Sequence, residues 1–248
     1  MGGSLLCYFS FKLLVYGLND YKDVKADAVN KRKGNFLFGA SATNEQLEGL
    51  LLNIALVVFP FIFWFTYTSG LTMFLLLVFM VLINIIYNFE PFRIKERPPF
   101  EIFIQIGYVT TALFSIQLNE LPQLPWQTLI YLALFAFQAH IAGEIMDIEP
   151  DMQAGKKTTA GILGRKKSKI LMTCIVLLEA FLVWFWFKDM VLALFLGLFA
   201  FWLVLDVLVF FKGKPYTLTQ MKLFGYAINI SAILSMIWVL YSGKLLLP

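Results

Sequence analysis

Charge is scarce in this sequence. Asp, Glu, Lys and Arg make up only 15% of its 248 residues, against about 25% in soluble proteins, which excludes an ordinary water-soluble surface. Cysteine is nearly absent. Cys7 and Cys174 are the two, both inside apolar stretches, which excludes a disulfide framework and points to packing. The strict alternation of a barrel strand is missing, and no basic-aromatic nucleic-acid motif occurs. The first apolar stretch runs into NDYKD without a small-residue cleavage site, so no cleavable leader is expected.

What fills the space is apolar: 60% hydrophobic and 17% aromatic residues, with a mean hydropathy of +0.76. Eight apolar stretches recur, at about 5–18, 50–67, 70–88, 100–118, 126–146, 169–187, 190–211 and 222–242. A helix needs roughly 20 such residues to cross a bilayer, so the expected fold is all-α, a polytopic transmembrane helical bundle of eight spans. The basic residues test the count independently, because Lys and Arg collect in cytoplasmic loops. Alternate loops hold 17 of the 20, at 22–33, 93–97, 156–169 and 212–222. The reading places the N-terminus outside and those loops in the cytoplasm, in a bacterial or archaeal type of plasma membrane. The net charge of +4 then reflects topology, with no nucleic acid as partner.

Two acidic clusters close apolar helices on that basic side. LNDYKDVKADAVNKRKG carries Asn19, Asp20, Asp23 and Asp27, and GEIMDIEPDMQAGKKTTAG carries Glu144, Asp147 and Asp151. Both acid triplets are spaced i, i+3, i+7, which stacks three carboxyl groups on one helical face. Such stacking destabilises a helix by a few tenths of a kcal/mol per pair unless a cation answers it. Hard oxygen ligands suit Mg²⁺, whose shell is commonly completed by substrate phosphate, and the lysines and arginines that follow each cluster suit phosphate oxygens. Pro150 disfavours helix at Glu149, so a bent or unwound turn is expected at Asp151, with Glu149 off the shared face and solvated. A third segment, YNFEPFRIKERPP, holds Arg93, Lys95 and Arg97 between prolines; an extended loop there would point all three the same way.

These residues resemble the UbiA superfamily of intramembrane prenyltransferases. Asn19, Asp20, Asp23 and Asp27 match its N-D-x-x-D-x-x-x-D motif, and Asp147 and Asp151 its second, with Glu144 where many members have Asp. GKKTTAGILG resembles the family's continuation, and YNFEPFRIKERP its Y-S-x-x-P-x-R-x-K segment, with Asn88 in place of Ser. The resemblance implies a bundle around a central cavity with both acidic motifs facing each other on the cytoplasmic side. It implies Mg²⁺ held by Asn19, Asp20, Asp23, Asp27, Glu144, Asp147 and Asp151, with Asp23 and Asp147 central to catalysis. A prenyl diphosphate would be bound by Lys31, Arg32, Arg93, Lys95 and Lys156, and its prenyl group passed to a lipophilic acceptor such as a quinone precursor, pigment or carotenoid. The wording of the second motif inclines toward the pigment or carotenoid branch. The family typically has nine spans. Only 18 residues precede Asn19, so residues 1–248 are expected to form one prenyltransferase domain lacking the first family helix.

Four ionisable residues lie at span depth: Lys12, His140, Glu179 and Asp206. Such groups are costly there and point to function or pairing. His140, one turn before Glu144, is a candidate base or acceptor contact, or a structural hydrogen bond; Glu179 or Asp206 is a candidate ion-pair partner for Lys12. Asn53, Asn84 and Asn229 are expected to line the cavity or link helices. Two rival functions share clustered acids. A phosphotransferase acting on CDP-activated lipids should carry D-G-x-x-A-R, which is lacking. A divalent-cation transporter should place its acids near the bilayer midplane, whereas these sit at helix ends among cations.

Overall fold

The computed structural model describes residues 2–34, 37–39 and 42–246, with side chains from Ser10 onward; the side chain of Cys7 lies outside them. Helices form the architecture: α1 (Gly2–Val29), α2 (Asn44–Leu47), α3 (Leu50–Asn88), α4 (Phe100–Phe103), α5 (Val109–Leu118), α6 (Trp126–Gln153), α7 (Thr159–Leu163), α8 (Arg165–Phe187), α9 (Met190–Leu205) and α10 (Leu218–Ser242). Short 3₁₀ turns join α3 to α5, at Ile94–Glu96 and Ile104–Tyr108, and a π turn at Asp206–Phe210 extends α9. Among the described residues six helical stretches are long and apolar enough to cross a membrane. The longest, Asn44–Asn88, holds two of the spans expected from sequence, and α1 is not among the six.

The chain divides into two compact units, residues 1–122 and 123–248. In the first, α3 is broken at Gly70, whose φ of 77° and ψ of −168° belong to a region open essentially only to glycine. The two halves fold back on each other: Ile54, Val58 and Ile62 from one and Val81 and Ile85 from the other line a single apolar cavity of about 380 Å³ with Leu14 and Leu18 of α1. Phe114 of α5 closes this core, edge-on to Phe11 at 4.9 Å and to Phe65 at 5.5 Å. Gly17 brings α1 close, since a Cβ there would stand 3.0 Å from Ile54 Cδ1.

In the second unit α8 packs on both α6 and α9. Asp189 caps α9, accepting from the backbone N–H groups of Val191 and Leu192, and also accepts from the Trp238 indole of α10 at 2.9 Å. One acid thereby fixes the α8–α9 turn against the last helix. The distribution of polarity is inverted relative to a soluble protein. Phe63, Trp64 and Tyr67 lie outside, while Lys169, Glu179, Asp189 and Asp206 are at most 1% exposed. Lipid is the solvent that such a surface fits.

Several expectations are corrected here. Cys174 is a free thiol on the exposed surface, not packed inside. Of the three asparagines expected to line the cavity or link helices, Asn84 and Asn229 donate to carbonyls one turn back in their own helices, Met80 O at 2.8 Å and Gly225 O at 2.7 Å, and Asn53 is exposed. The acids proposed for Lys12 have other partners. Glu179 accepts from Gln138 at 2.8 Å, and Asp206 pairs with Lys169 at 2.6 Å and accepts from the Tyr216 hydroxyl at 2.6 Å.

Candidate active site

The two acidic clusters lie in different units. In the first, α1 continues without a break from its apolar half into LNDYKDVKADAV, because the segment contains neither proline nor glycine. It stops at Asn30, whose side-chain oxygen accepts from the Arg32 backbone N–H at 3.0 Å, an Asx turn that competes with further helix. The turn sends the chain back along the acidic face. Lys33 reaches Asp20 at 3.4 Å and Asp27 at 3.1 Å, while Lys31 is exposed and Arg32 lies over the Phe38 ring at 5.1 Å.

Asp23 is the most buried of the three aspartates, 6% exposed, and its cation comes from far along the chain. Lys95 Nζ donates to Asp23 Oδ1 at 2.6 Å, Asn88 Oδ1 at 3.0 Å and Asn19 Oδ1 at 3.4 Å. The loop that delivers it is not extended. Arg93 takes a left-handed backbone conformation (φ 39°) and Ile94–Glu96 form a 3₁₀ turn, so the three cations diverge. Lys95 turns in toward α1, Arg93 pairs with Glu96 at 2.6 Å, and Arg97 is exposed and donates to the Pro91 carbonyl. A groove of about 620 Å³ opens beside Tyr21, Val24 and α2, lined by none of the three aspartates.

The electrostatics show how crowded this face is. Burial pushes the Asp27 carboxyl above its ordinary range, Lys33 opposes the rise, and the nearby charges of Asp20 and Asp23 add to it. For Lys33, burial alone would lower the ammonium pKa, but the attraction of Asp27 and Asp20 outweighs it, and the net shift is upward. One cation shared between two acids holds its proton firmly, whereas a carboxylate drawn out of water, with two others beside it, loses its own reluctantly.

In the second unit α6 runs on through Pro150 to Gln153, so the bend expected at Asp151 does not occur and Asp147 and Asp151 remain on one helix, both half-buried. Proline ends no hydrogen-bonding that the last turn depends on, because Ala154 N still donates to Pro150 O at 2.9 Å. Lys156 returns toward the cluster: its backbone N–H donates to Asp151 O at 2.9 Å, and its Nζ stands 3.7 Å from Asp151 Oδ1. Glu144 is engaged inward. Its Oε2 accepts from the Ala160 backbone N–H at 2.9 Å, and its Oε1 stands 3.1 Å from His140 Nε2 one helical turn earlier. Glu149 is not simply solvated; both its oxygens accept from Arg165 at 2.7 Å, pinning the start of α8.

Sequence reasoning missed two residues, Lys33 and Asn88. Lys33 had a signal, lying three residues past Asn30 among other basic residues; Asn88 had only its place in the third motif. The donor set fits a hard divalent cation in chemistry, being carboxylate and amide oxygens flanked by ammonium groups. Among the described residues no three acid, cysteine or histidine side chains gather closely enough to encircle one.

The description "UbiA prenyltransferase family" fits residues 2–242. A C(50) β-cyclic carotenoids biosynthesis protein, LbtBC, of Dietzia sp. is 26% identical over 66% of this chain and 38% of its own length. A lycopene elongase/hydratase of Corynebacterium glutamicum is 26% identical over 73% of this chain and 64% of its own. The chain thus spans from under two fifths to just under two thirds of the length of these curated relatives. In fold it is similar to a UbiA homolog from Archaeoglobus fulgidus whose structure was solved bound to GPP and Mg²⁺, with a TM-score of 0.61 at 14% identity, over 93% of this chain and 85% of that one.

Proposed function

The chain belongs to the UbiA prenyltransferase family, and on that premise we propose that it is a Mg²⁺-dependent intramembrane prenyltransferase. It moves a prenyl group from a prenyl diphosphate to a lipophilic acceptor, with carotenoid-type polyenes the favoured class because both curated relatives carry names from carotenoid synthesis. The observation that carries the reading is the face of α1, where Asn19, Asp20, Asp23 and Asp27 meet the ammonium groups of Lys33 and Lys95. Acid and base interleaved at one helix end suit a cation together with a diphosphate, and neither alone.

In this reading residues 1–248 act as one domain, both acidic sets work on the cytoplasmic side, and the N-terminus lies outside. The asymmetry of the basic loops supports that orientation. Asp20, Asp23 and Asp27 with Asn19, and Asp147 with Asp151, would hold Mg²⁺, with Glu144 behind them. When bound, Mg²⁺ neutralises charge that builds on the departing diphosphate. Lys33, Lys95 and Lys156, with Lys31, Arg32 and Arg93, bind and orient the phosphate oxygens in a site poor in water, where such contacts are strong. The allylic C–O bond then breaks with its electron pair leaving on diphosphate. The acceptor's π electrons form the new C–C bond, and the acceptor gives up a proton.

The test is release of diphosphate by membranes containing the chain, given prenyl diphosphates with and without Mg²⁺, with mass spectrometry of the extracted lipids. Mg²⁺-dependent release and a prenylated lipid are expected, and Asp23→Asn and Asp147→Asn should each cut release by at least about 100-fold, a few kcal/mol of barrier. Release that survives both substitutions would refute the reading.

A further inference from the structure

Resting on that reading, we infer that Glu179 is a positioning residue: held as a neutral acid, it pairs with Gln138 through two hydrogen bonds and so fixes α6, the helix of Asp147 and Asp151, against α8. The observation is a matched pair of gaps. Glu179 of α8 is 0% exposed and Gln138 of α6 is 6% exposed. Gln138 Nε2 donates to Glu179 Oε2 at 2.8 Å, and the remaining oxygens, Glu179 Oε1 and Gln138 Oε1, lack hydrogen-bond partners among the described residues. Two acceptors cannot satisfy each other. One proton on the carboxyl group supplies the missing donor, and the acid and the amide then close a ring of two reciprocal hydrogen bonds.

A charge at this place has nothing to answer it. Among the described residues no cation stands within ion-pair distance of Glu179. Tyr131 of α6 interacts with it electrostatically but is itself an acid, and α9, packed on the same helix, carries no charged residue from Met190 to Leu205. Lys169, earlier on α8, is taken by Asp206 at 2.6 Å. An unpaired carboxylate buried there is so costly that the group neutralises instead.

The pair decides where α6 stands. Ile141 and Ile145 of α6 and Val176 and Val183 of α8 are buried and apolar, and apolar contact is non-directional, so it tolerates a slide or a turn of one helix on the other. Two polar ties remove that freedom. Glu149 holds Arg165 at 2.7 Å near the end of α6, and Gln138 holds Glu179 eleven residues earlier, about 16 Å along the helix. Asp147 lies between the ties, and Asp151 two residues past the first.

The test compares the purified full-length wild type with Glu179→Gln, with Gln138→Met, and with Gln138→Met combined with Glu179→Met. Infrared spectra at neutral pH should show a protonated carboxyl C=O stretch that shifts down in D₂O, vanishes in Glu179→Gln and moves to higher frequency in Gln138→Met. Glu179→Gln rebuilds both bonds as an amide pair, so Mg²⁺-dependent diphosphate release should stay within about twofold of the wild type. The double methionine variant replaces both partners by apolar groups and should melt within about 4 °C of the wild type. Its diphosphate release should nevertheless fall about tenfold or more, since small displacements remote from the chemistry are costly to rate. Stability kept while release is lost separates positioning from plain stabilisation. Should the double variant not fold, the pair of leucines at the same positions carries the comparison. A band absent from the wild type, or unchanged in Glu179→Gln, overturns the neutral pair; a double variant that releases diphosphate at the wild-type rate overturns the positioning role. A wild type that shows the band but releases no diphosphate overturns the prenyltransferase reading and the positioning role with it, and leaves the neutral pair standing.

Discussion

Lys169 and Asp206 make the most decisive test of how the second unit is held. Both are 1% exposed and stand 2.6 Å apart. At an effective dielectric of about 20 their attraction is about 6 kcal/mol, but taking each ion out of water costs several kcal/mol, so the pair nets close to zero. Removing one member is different. In Lys169→Met, Asp206 keeps only the Tyr216 hydroxyl as donor and remains a buried charge, costing about 3–5 kcal/mol, or roughly 6–20 °C in melting temperature for a chain of this size. Asp206→Asn should cost a similar amount, since Lys169 then has only the Lys212 carbonyl at 3.3 Å and the Tyr216 ring at 4.3 Å. An apolar replacement of the whole group, Lys169→Met with Asp206→Leu and Tyr216→Phe, should return to within about 1 kcal/mol of the wild type or exceed it. The assay is thermal unfolding followed by circular dichroism in detergent. Single variants that lose less than about 1 kcal/mol, or an apolar triple variant as damaged as the singles, would refute the reasoning.

Tyr216→Phe alone removes a hydrogen bond to an ionised carboxylate and should destabilise by about 1.5–3 kcal/mol. Its pH dependence has a definite sign. Burial, the hydrogen bond to Asp206 and the charge of Asp206 raise the phenol pKa above its ordinary value of 10.0, so the folded chain keeps a proton that the unfolded chain loses. That stability is complete below pH 10 and fades as pH rises past it; melting curves from pH 8 upward should converge between wild type and variant, and parallel curves would count against the assignment. Gly70→Ala should cost about 1–3 kcal/mol purely through backbone conformation, because nothing lies within 4 Å of the added Cβ. An unchanged melting temperature would show that the break in α3 relaxes at no cost.

Much of the fold was legible because lipid imposes long apolar runs, and YTSG ahead of Leu71 marked the break in α3. The acidic sets were legible because i, i+3, i+7 spacing is a local property of one helix. What failed were the directions of cations and the partners of buried ions. Lys95 finds Asp23 across 72 positions, and Lys169 lies 37 positions from Asp206; no local rule relates them. Arg93, Lys95 and Arg97 were expected to align, but a left-handed residue and a 3₁₀ turn rotate them apart, and neither leaves a periodic signature. Pro150 was read as a bend because its ring disfavours the preceding helical residue; continued helix through it is accompanied by the contacts of Glu149 with Arg165 and Glu144 with Ala160.

Those last two contacts give the stretch between α6 and α8 a modular character. Glu144 and Glu149 each reach sixteen residues ahead, fastening the returning strand of chain at two points while Lys156 folds onto Asp151 between them. Holding a loop shut in this way removes most of its conformational freedom at the outset, so the reach of Lys156 is set by residues inside the stretch. The segment from Glu144 to Arg165 is therefore a cartridge: the surrounding spans can drift in sequence, or be exchanged for those of a relative, and its acids and lysine would travel together in register.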